Sequence, residues 1–541
     1  MKPKTGHKMH SQSSALLHES LFKEGESNPN RPALRFKAEH CSYGELAQKV
    51  MRVSELLQQF ESGTRIGVLL PNCPESVVTA YASFASGNIF VPINPLLRPR
   101  QILHILNDSG ATVLVTARYL LDSFTSTREL PGEITTVVLI DDPDPGTNLP
   151  RGVKLHSWSD FLQGRRETRS ATDKIPKTSD PAVLLYTSGS TGLAKGILIS
   201  HQNLIDGAEI VSGYLGNTRD DRILAALPVS FDYGFSQVTT SLLSGAELVL
   251  TNFSLPQQLI SEIVQNRVTG LAGVPTMWQQ LMDCNWPAGC DAHLRYITNS
   301  GGRLSRDTLA RLRSRLGKTR VFLMYGLTEA FRSSYLDPDL IDERPDSIGK
   351  ALPGVQLHVI NEQGELCEPG EPGELVHSGK LVTLGYWNNP TASANRFRPP
   401  PSSCGLDTAE TPSVWTGDIV TLDNDGFLYF SERADQLLKC SGYRVSPSEI
   451  EQAILESGLA DEVVAVGLPD ERRGHRVAIA LVASNPNEDN DFAIRHVCAR
   501  ELPPYMQPEE ILVVETLPVT PNGKPDREAI RSMFRTNDNA S

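Results

Sequence analysis

Residues Leu184 to His201 read LLYTSGSTGLAKGILISH. The apolar run that opens this stretch has the length of a buried strand. It delivers the chain into Thr187, Ser188, Gly189, Ser190, Thr191 and Gly192, with Lys195 following within one more turn. Glycines let backbone N–H groups approach an anion closely, hydroxyls add donors, and a lysine supplies charge for a polyphosphate. The G-x-x-x-x-G-K-[ST] spacing of a Walker loop is absent, so kinase or GTPase chemistry does not follow. Taken alone, the same composition also suits a flexible surface loop.

On either side of this strand and loop, helical and extended patterns alternate. SYGELAQKVMRVSELLQQF, from Ser42, has helical spacing, RIGVLL reads as a buried strand, and PESVVTAYASFASG reads as a second helix. RQILHILNDSG then predicts a helix, and ATVLVTA, TTVVLI, AELVL and VFLMYG predict strands. Strands separated by helices imply doubly wound α/β architecture, with parallel sheets covered on both faces and ligands beyond the carboxyl ends of the strands. A Pro-, Ser- and Thr-rich segment from about Arg398 to Pro412 predicts an exposed loop. After it VWTGDIV and GFLYF read as short strands, and from Ala434 a helix–strand–strand–helix–strand–helix pattern is long enough for a small α+β domain. We therefore expect a large domain over 16–433 and a small mobile one over 434–541.

At 541 residues the chain exceeds what one hydrophobic core accommodates. Its 39% hydrophobic and 21% charged residues are those of an ordinary globular protein. A formal net charge of −13 argues against a broad nucleic-acid surface, which needs clustered Lys and Arg. Eight scattered cysteines without a C-x-x-C pair point to a reducing compartment without a structural metal. No apolar run reaches the length of a signal peptide or membrane span, so a cytoplasmic protein is expected, not an integral membrane one.

Four further motifs follow the first: YGLTEA at Tyr325 to Ala330, TGD at Thr416 to Asp418, SERADQLLKCSGYRVSPSEIE at Ser431 to Glu451, and PNGKPDR at Pro521 to Arg527. Their order resembles the adenylate-forming (AMP-binding) superfamily of acyl-CoA synthetases, nonribosomal peptide synthetase adenylation domains and luciferases. The resemblance runs from about Leu16 to Met533. It implies an ATP-dependent, AMP-forming ligase that converts a carboxylic acid to an acyl-adenylate, releases pyrophosphate, and passes the acyl group to a thiol.

The resemblance also implies residue roles. Thr187 to Lys195 would close over the β- and γ-phosphates. Tyr325 would pack on adenine, Thr328 would contact the α-phosphate, and Glu329 would help hold Mg²⁺, which needs few protein carboxylates when phosphates and waters supply the rest. Gly301 and Gly302, with Ser300 in NSGGR, would border the adenine and acyl pocket. Asp418 would accept from the ribose hydroxyls, and Arg433 would reach the ribose and phosphate side. Lys524 would stabilise charge building up between carboxylate and α-phosphate as they react. Asp435 would be the hinge on which the small domain turns to present Lys439, Ser441 and Gly442 to a thiol. Glu432 stands where many relatives have glycine, and Cys440 is an uncommon choice.

The acid and the acceptor are less defined. Phe231 and Asp232 occupy a segment where many acyl-CoA synthetases carry a Phe-His pair. Asp232 is either a receptor for a substrate ammonium, as in amino-acid-activating relatives, or a helix cap. Phe231, Tyr233, Phe235, Met277 and Trp278 either line an apolar pocket or form plain core. Arg444, Arg472, Arg473, His475 and Arg476 offer charge to coenzyme A or to an acidic carrier protein acting in trans, or make a solvated face. Coenzyme A is the expected acceptor; an amino-acid ligase loading a separate carrier is the alternative. A sensor that has lost its chemistry is disfavoured, since Lys195, Glu329, Asp418, Arg433 and Lys524 are all present.

Overall fold

Runs of Val, Ile and Leu too short to make a helix become the central strands of two sheets. The computed structural model describes residues 16–125, 129–141, 149–163, 175–189, 192–405, 411–433, 437–485, 490–518 and 525–537. Ser190, Thr191, Asp435 and Lys524 lie outside the described residues.

Among the described residues one sheet has eight strands. Arg65–Leu69 pairs in parallel with Ile89–Ile93 and with Val113–Thr116, and the sheet continues through Thr136–Leu139 to Lys154–Ser157. On its other side Pro181–Gly189 and Gly192–Ser200 form an antiparallel hairpin, with Thr187 paired to Lys195. Thr187 and Lys195 of the motif thus face each other across the two strands of a hairpin.

The second sheet has thirteen strands among the described residues. Arg320–Tyr325, Tyr296–Asn299, Gly270–Gly273, Arg222–Ala225, Glu247–Leu250 and Pro32–Phe36 run parallel in that order. Beyond Arg320–Tyr325 the sheet turns antiparallel through Ser334–Leu336, Ser347–Ala351, Leu428–Arg433, Ser413–Leu422, Gly373–Gly379 and Val355–Ile360. The expectation of parallel sheets therefore holds for these first six strands, while the others pair antiparallel. Connections such as that from Leu422 to Leu428 are too short for a crossover helix and permit only hairpins.

The helices Tyr43–Leu57, Pro74–Ser86 and Pro99–Ser109 form where the helical spacing predicted them. Ser42 caps the first: its hydroxyl accepts the Glu45 N–H, while the Glu45 carboxylate accepts the Ser42 N–H at 2.8 Å. A single core runs from Leu16 through both faces of the eight-stranded sheet to Leu381 and includes Phe84, Phe90 and Phe235.

A separate five-stranded sheet begins at Leu438. It holds the long antiparallel pair Ala460–Asp470 and Gly474–Ala483, with Glu510–Val513 parallel to the latter. Its helices are Pro447–Leu455, Asn490–Glu501 and Arg527–Asn537, and its core, around Ile450, Ile479 and Ile494, is its own. Together these make a large α/β body and a smaller α+β one.

Candidate active site

Four parallel strands of the larger sheet end at one edge, and the residue after each end borders a common cavity of about 500 Å³. Ala226 follows Arg222–Ala225, Val274 follows Gly270–Gly273, Ser300 follows Tyr296–Asn299, and Gly326 follows Arg320–Tyr325. This is where a doubly wound sheet offers unpaired strand ends to a ligand.

The loop after Ala225 is held from the other sheet. Asn72 Nδ2 donates to the carbonyls of Ala225 at 3.2 Å and Leu227 at 3.0 Å, and its Oδ1 accepts the Val229 N–H at 3.0 Å. The helix Asp232–Leu243 then starts hard against this loop. A Cβ at Gly234 would stand 2.0 Å from the Pro228 carbonyl oxygen, so no larger residue fits there.

That packing leaves Asp232 in the cavity wall and 8% exposed. It is the first helical residue rather than the cap, which is Phe231. Oδ1 accepts the neighbouring Tyr233 N–H at 2.7 Å, and Oδ2 accepts from the Thr328 hydroxyl at 3.2 Å. Burial raises its pKa, although Arg332, Arg444 and its two donors pull the other way. Phe231, Tyr233 and Met277 also border the cavity, whereas Phe235 and Trp278 are plain core.

Thr187, Ser300, Gly301 and Thr328 complete this side of the site. A second cavity adjoins the first, and Thr276, Gly301, Gly326, Gly442 and Arg444 line both. Tyr325, Asp418, Gly302 and Lys439 border the second. The Tyr325 hydroxyl donates to Asp418 Oδ2 at 2.5 Å, and Arg433 lies opposite Asp418 in strand register. Motifs that are widely separated in the chain therefore converge on two joined cavities.

The small sheet supplies part of this wall. Gln101 donates to Glu449 at 2.6 Å and Gln279 to the Glu471 carbonyl at 2.6 Å, bridging the two bodies. Gly442, at φ +86°, lies so close that a Cβ there would be 2.9 Å from Val274 Cγ2. Of the basic cluster, Arg473 pairs with Asp470 and Glu509 and Arg476 with Glu510, while Arg472 and His475 border the second cavity.

The sequence profile of the AMP-binding enzyme family matches residues 21–387, and that of the AMP-binding enzyme C-terminal domain matches 449–524. The chain belongs to the AMP-binding enzymes. It is 27% identical over 534 residues to a long-chain-fatty-acid CoA ligase of Salmonella typhimurium, covering 94% of this chain and 92% of that one. It is 27% identical over 521 residues to tyrocidine synthase 3 of Brevibacillus parabrevis, covering 95% of this chain but only 8% of that one. Among solved structures it is similar to o-succinylbenzoate CoA synthetase (MenE) from Bacillus subtilis, at 26% identity and over 95% and 97% of the two chains. The TM-score is 0.80 against a double mutant of MenE bound with its product analogue OSB-NCoA, and 0.65 against MenE with its acyl-adenylate intermediate OSB-AMP.

The family uses ATP with Mg²⁺, and Glu329 suits a cation. It is 6% exposed, in the short turn Thr328–Ala330. Burial by itself would raise its pKa, but the charges of Arg396 and Arg444 and the Tyr386 hydroxyl outweigh it and hold the carboxyl below its usual range. Tyr386 donates to Oε1 at 2.8 Å, and Oε2 is buried without a hydrogen-bond partner. An ionised, undonated oxygen is what a hard cation takes. Among the described residues no group of three or more His, Cys, Asp or Glu side chains could hold a metal by itself. Lys195 Nζ lies 5.6 Å from the Tyr386 ring centre, which links the first motif to Glu329 through one aromatic side chain. Tyr386, Asn72 and Arg332 were not singled out in the sequence, because none lies within a motif.

Proposed function

We propose that this AMP-binding enzyme is an acid–thiol ligase that uses ATP to adenylate a carboxylic acid and then transfers the acyl group to the thiol of coenzyme A. What supports this most is the junction of the two cavities at Gly442 and Arg444, so that an acyl pocket opens onto a nucleotide site beside the small body. In the first step a carboxylate oxygen forms a bond to the α-phosphorus and the pyrophosphate oxygen leaves with the bonding pair. Thr328 and Lys195 bind phosphate oxygens, as do the residues from Thr187 to Gly192. Tyr325, Asp418 and Arg433 hold the nucleoside, and Lys524 stabilises the charge that accumulates in the transition state. Glu329 would hold Mg²⁺, which would supply charge neutralisation for the phosphates. In the second step the thiolate sulfur attacks the acyl carbon and AMP departs.

We assign the hinge to Asp435, with the boundary between the bodies at 433/434, and the thiol passage to Lys439 and Gly442. The closer likeness to MenE bound with OSB-NCoA than to MenE with OSB-AMP supports reading this arrangement as that of thiol transfer. All eight cysteines are free, and among the described residues no helix is long and apolar enough to cross a membrane. Free thiols support a cytoplasmic location.

A second reading, an amino-acid ligase that loads the phosphopantetheine arm of a separate carrier protein, is favoured by the burial of Asp232 beside Thr328. ATP–pyrophosphate exchange with Mg²⁺ across fatty, aryl and amino acids tests the shared first step. Exchange with one class supports the ligase and chooses between the readings. Silence across all classes with ATP still bound would sink both.

A further inference from the structure

The first cavity contains a charge that the chemistry above leaves unused. Arg332, four residues beyond Thr328, borders the cavity and is only 3% exposed. Phe331 before it holds φ +46°, a strained conformation for a residue with a side chain, at the bend from which Arg332 enters the core. The guanidinium carbon lies 4.4 Å from the centre of the Tyr233 ring, and Nε is buried without a hydrogen-bond partner. The Tyr214 hydroxyl offers it a neutral contact. Among the described residues no carboxylate comes within 4.0 Å of it.

A guanidinium cannot shed its charge, so burying one without an anion is costly, and an aromatic face offsets only part of that cost. One opposite charge that feels it is Asp232. The two nevertheless form no ion pair, and Asp232 spends its oxygens on Tyr233 and Thr328. If Arg332 only balanced Asp232, the pair would be expected to close. Two opposite charges held apart in the wall of one cavity instead suit a ligand that carries both. A monocarboxylic acid would leave each uncompensated.

We propose that Asp232 and Arg332 select an amino acid bearing a second carboxylate, with its ammonium on Asp232, its non-reacting carboxylate on Arg332, and its reacting carboxylate directed to the α-phosphate near Thr328. This rests on the adenylation reading and specifies its acid.

The test is ATP–pyrophosphate exchange by the full chain with four probe sets: L-aspartate and L-glutamate, L-alanine and L-valine, succinate and glutarate, and octanoate. Wild type, Arg332→Gln and Arg332→Lys are compared after thermal unfolding has shown each to be folded. The amino dicarboxylates should exchange best in wild type. Arg332→Gln should raise their KM by about 100-fold, as expected when one partner of a desolvated charge pair is removed, with kcat less affected. It should also erase their advantage over alanine, while Arg332→Lys recovers part of it. A wild-type preference for octanoate or valine, or an equal loss on every acid, would overturn the proposal, and the wild-type panel decides alone if the variants do not fold. If no acid exchanges, the adenylation reading has failed, and calorimetric binding of L-aspartate and L-glutamate then decides. Arg332-dependent binding would preserve the pocket assignment, and no binding would overturn it.

Discussion

The hydroxyl of Tyr386 donates to Glu329 across 57 residues of chain, and it takes one of two carboxylate oxygens while the other stays undonated. A donor on one oxygen fixes the orientation of the carboxylate without competing for the lone pairs a cation needs. Partners of this kind typically contribute 10- to 100-fold to metal affinity. Tyr386→Phe should therefore raise the Mg²⁺ concentration needed for half-maximal pyrophosphate exchange by about 10-fold or more. Glu329→Gln should do more damage, because it removes the charge itself. A Mg²⁺ titration of both variants checks this, and an unchanged Mg²⁺ dependence in each would remove Glu329 from the metal site.

Gly442 brings the small body against the cavity wall at Val274. At φ +86°, with Val274 Cγ2 2.9 Å from where a Cβ would stand, any side chain there is strained and blocks the approach. Gly442→Leu should slow thioester formation by at least about 100-fold, the scale on which a small misplacement of reacting groups lowers rate. It should leave pyrophosphate exchange largely intact. Single-turnover assays of the two half-reactions separate them, and a matching loss in both would mean that Gly442 serves folding rather than transfer.

Much of this site was legible because its parts are local. The strand entering Thr187 and the turn holding Thr328 and Glu329 are short-range patterns, and the helices followed from apolar spacing, as in the one that begins after Ser42. The small body was legible for the same reason, since its core residues alternate within their own strands. What escaped depends on contacts remote in sequence. Tyr386 lies in a two-residue strand, and Asn72 joins both sheets through contacts more than 150 residues away in the chain. Arg332 is placed in the core by the reversal at Phe331, which no local pattern announces. The antiparallel half of the larger sheet escaped because strand alternation does not reveal the direction of pairing.

Asp232 makes stability and specificity compete. Its folded-state pKa lies above the ordinary value of 3.8, so the folded protein holds a proton that the unfolded chain has released. Stability accordingly falls as pH rises above 3.8 towards the raised folded-state value. Asp232→Asn keeps the shape and removes the penalty. Its melting temperature should exceed that of wild type by a few degrees at pH 7, and the gap should close below about pH 4. Scanning calorimetry of both proteins across this range checks the sign. A variant less stable than wild type at pH 7 would show that ionised Asp232 is held favourably, by Arg332 above all.

Lys524 lies outside the described residues, and the thiol-transfer reading makes a specific demand of it. If the proposed hinge at Asp435 turns Gly442 to the cavity for transfer, Lys524 is expected at the α-phosphate only in the other arrangement. An ammonium that meets the reacting carboxylate and phosphate only during adenylation stabilises that transition state and no other. Lys524→Ala should therefore cut pyrophosphate exchange by about 100-fold or more, the scale seen when a group aimed at developing charge is removed. Thioester formation from supplied acyl-adenylate should stay within a few-fold of wild type. Equal loss in both half-reactions would mean that Lys524 remains at the reaction centre throughout, and the two-arrangement account would fail with it. Full retention of exchange would instead mean that the charge is supplied by another group, for which Arg444, which lines both cavities, and Lys195, beside Tyr386, are the next substitutions to make.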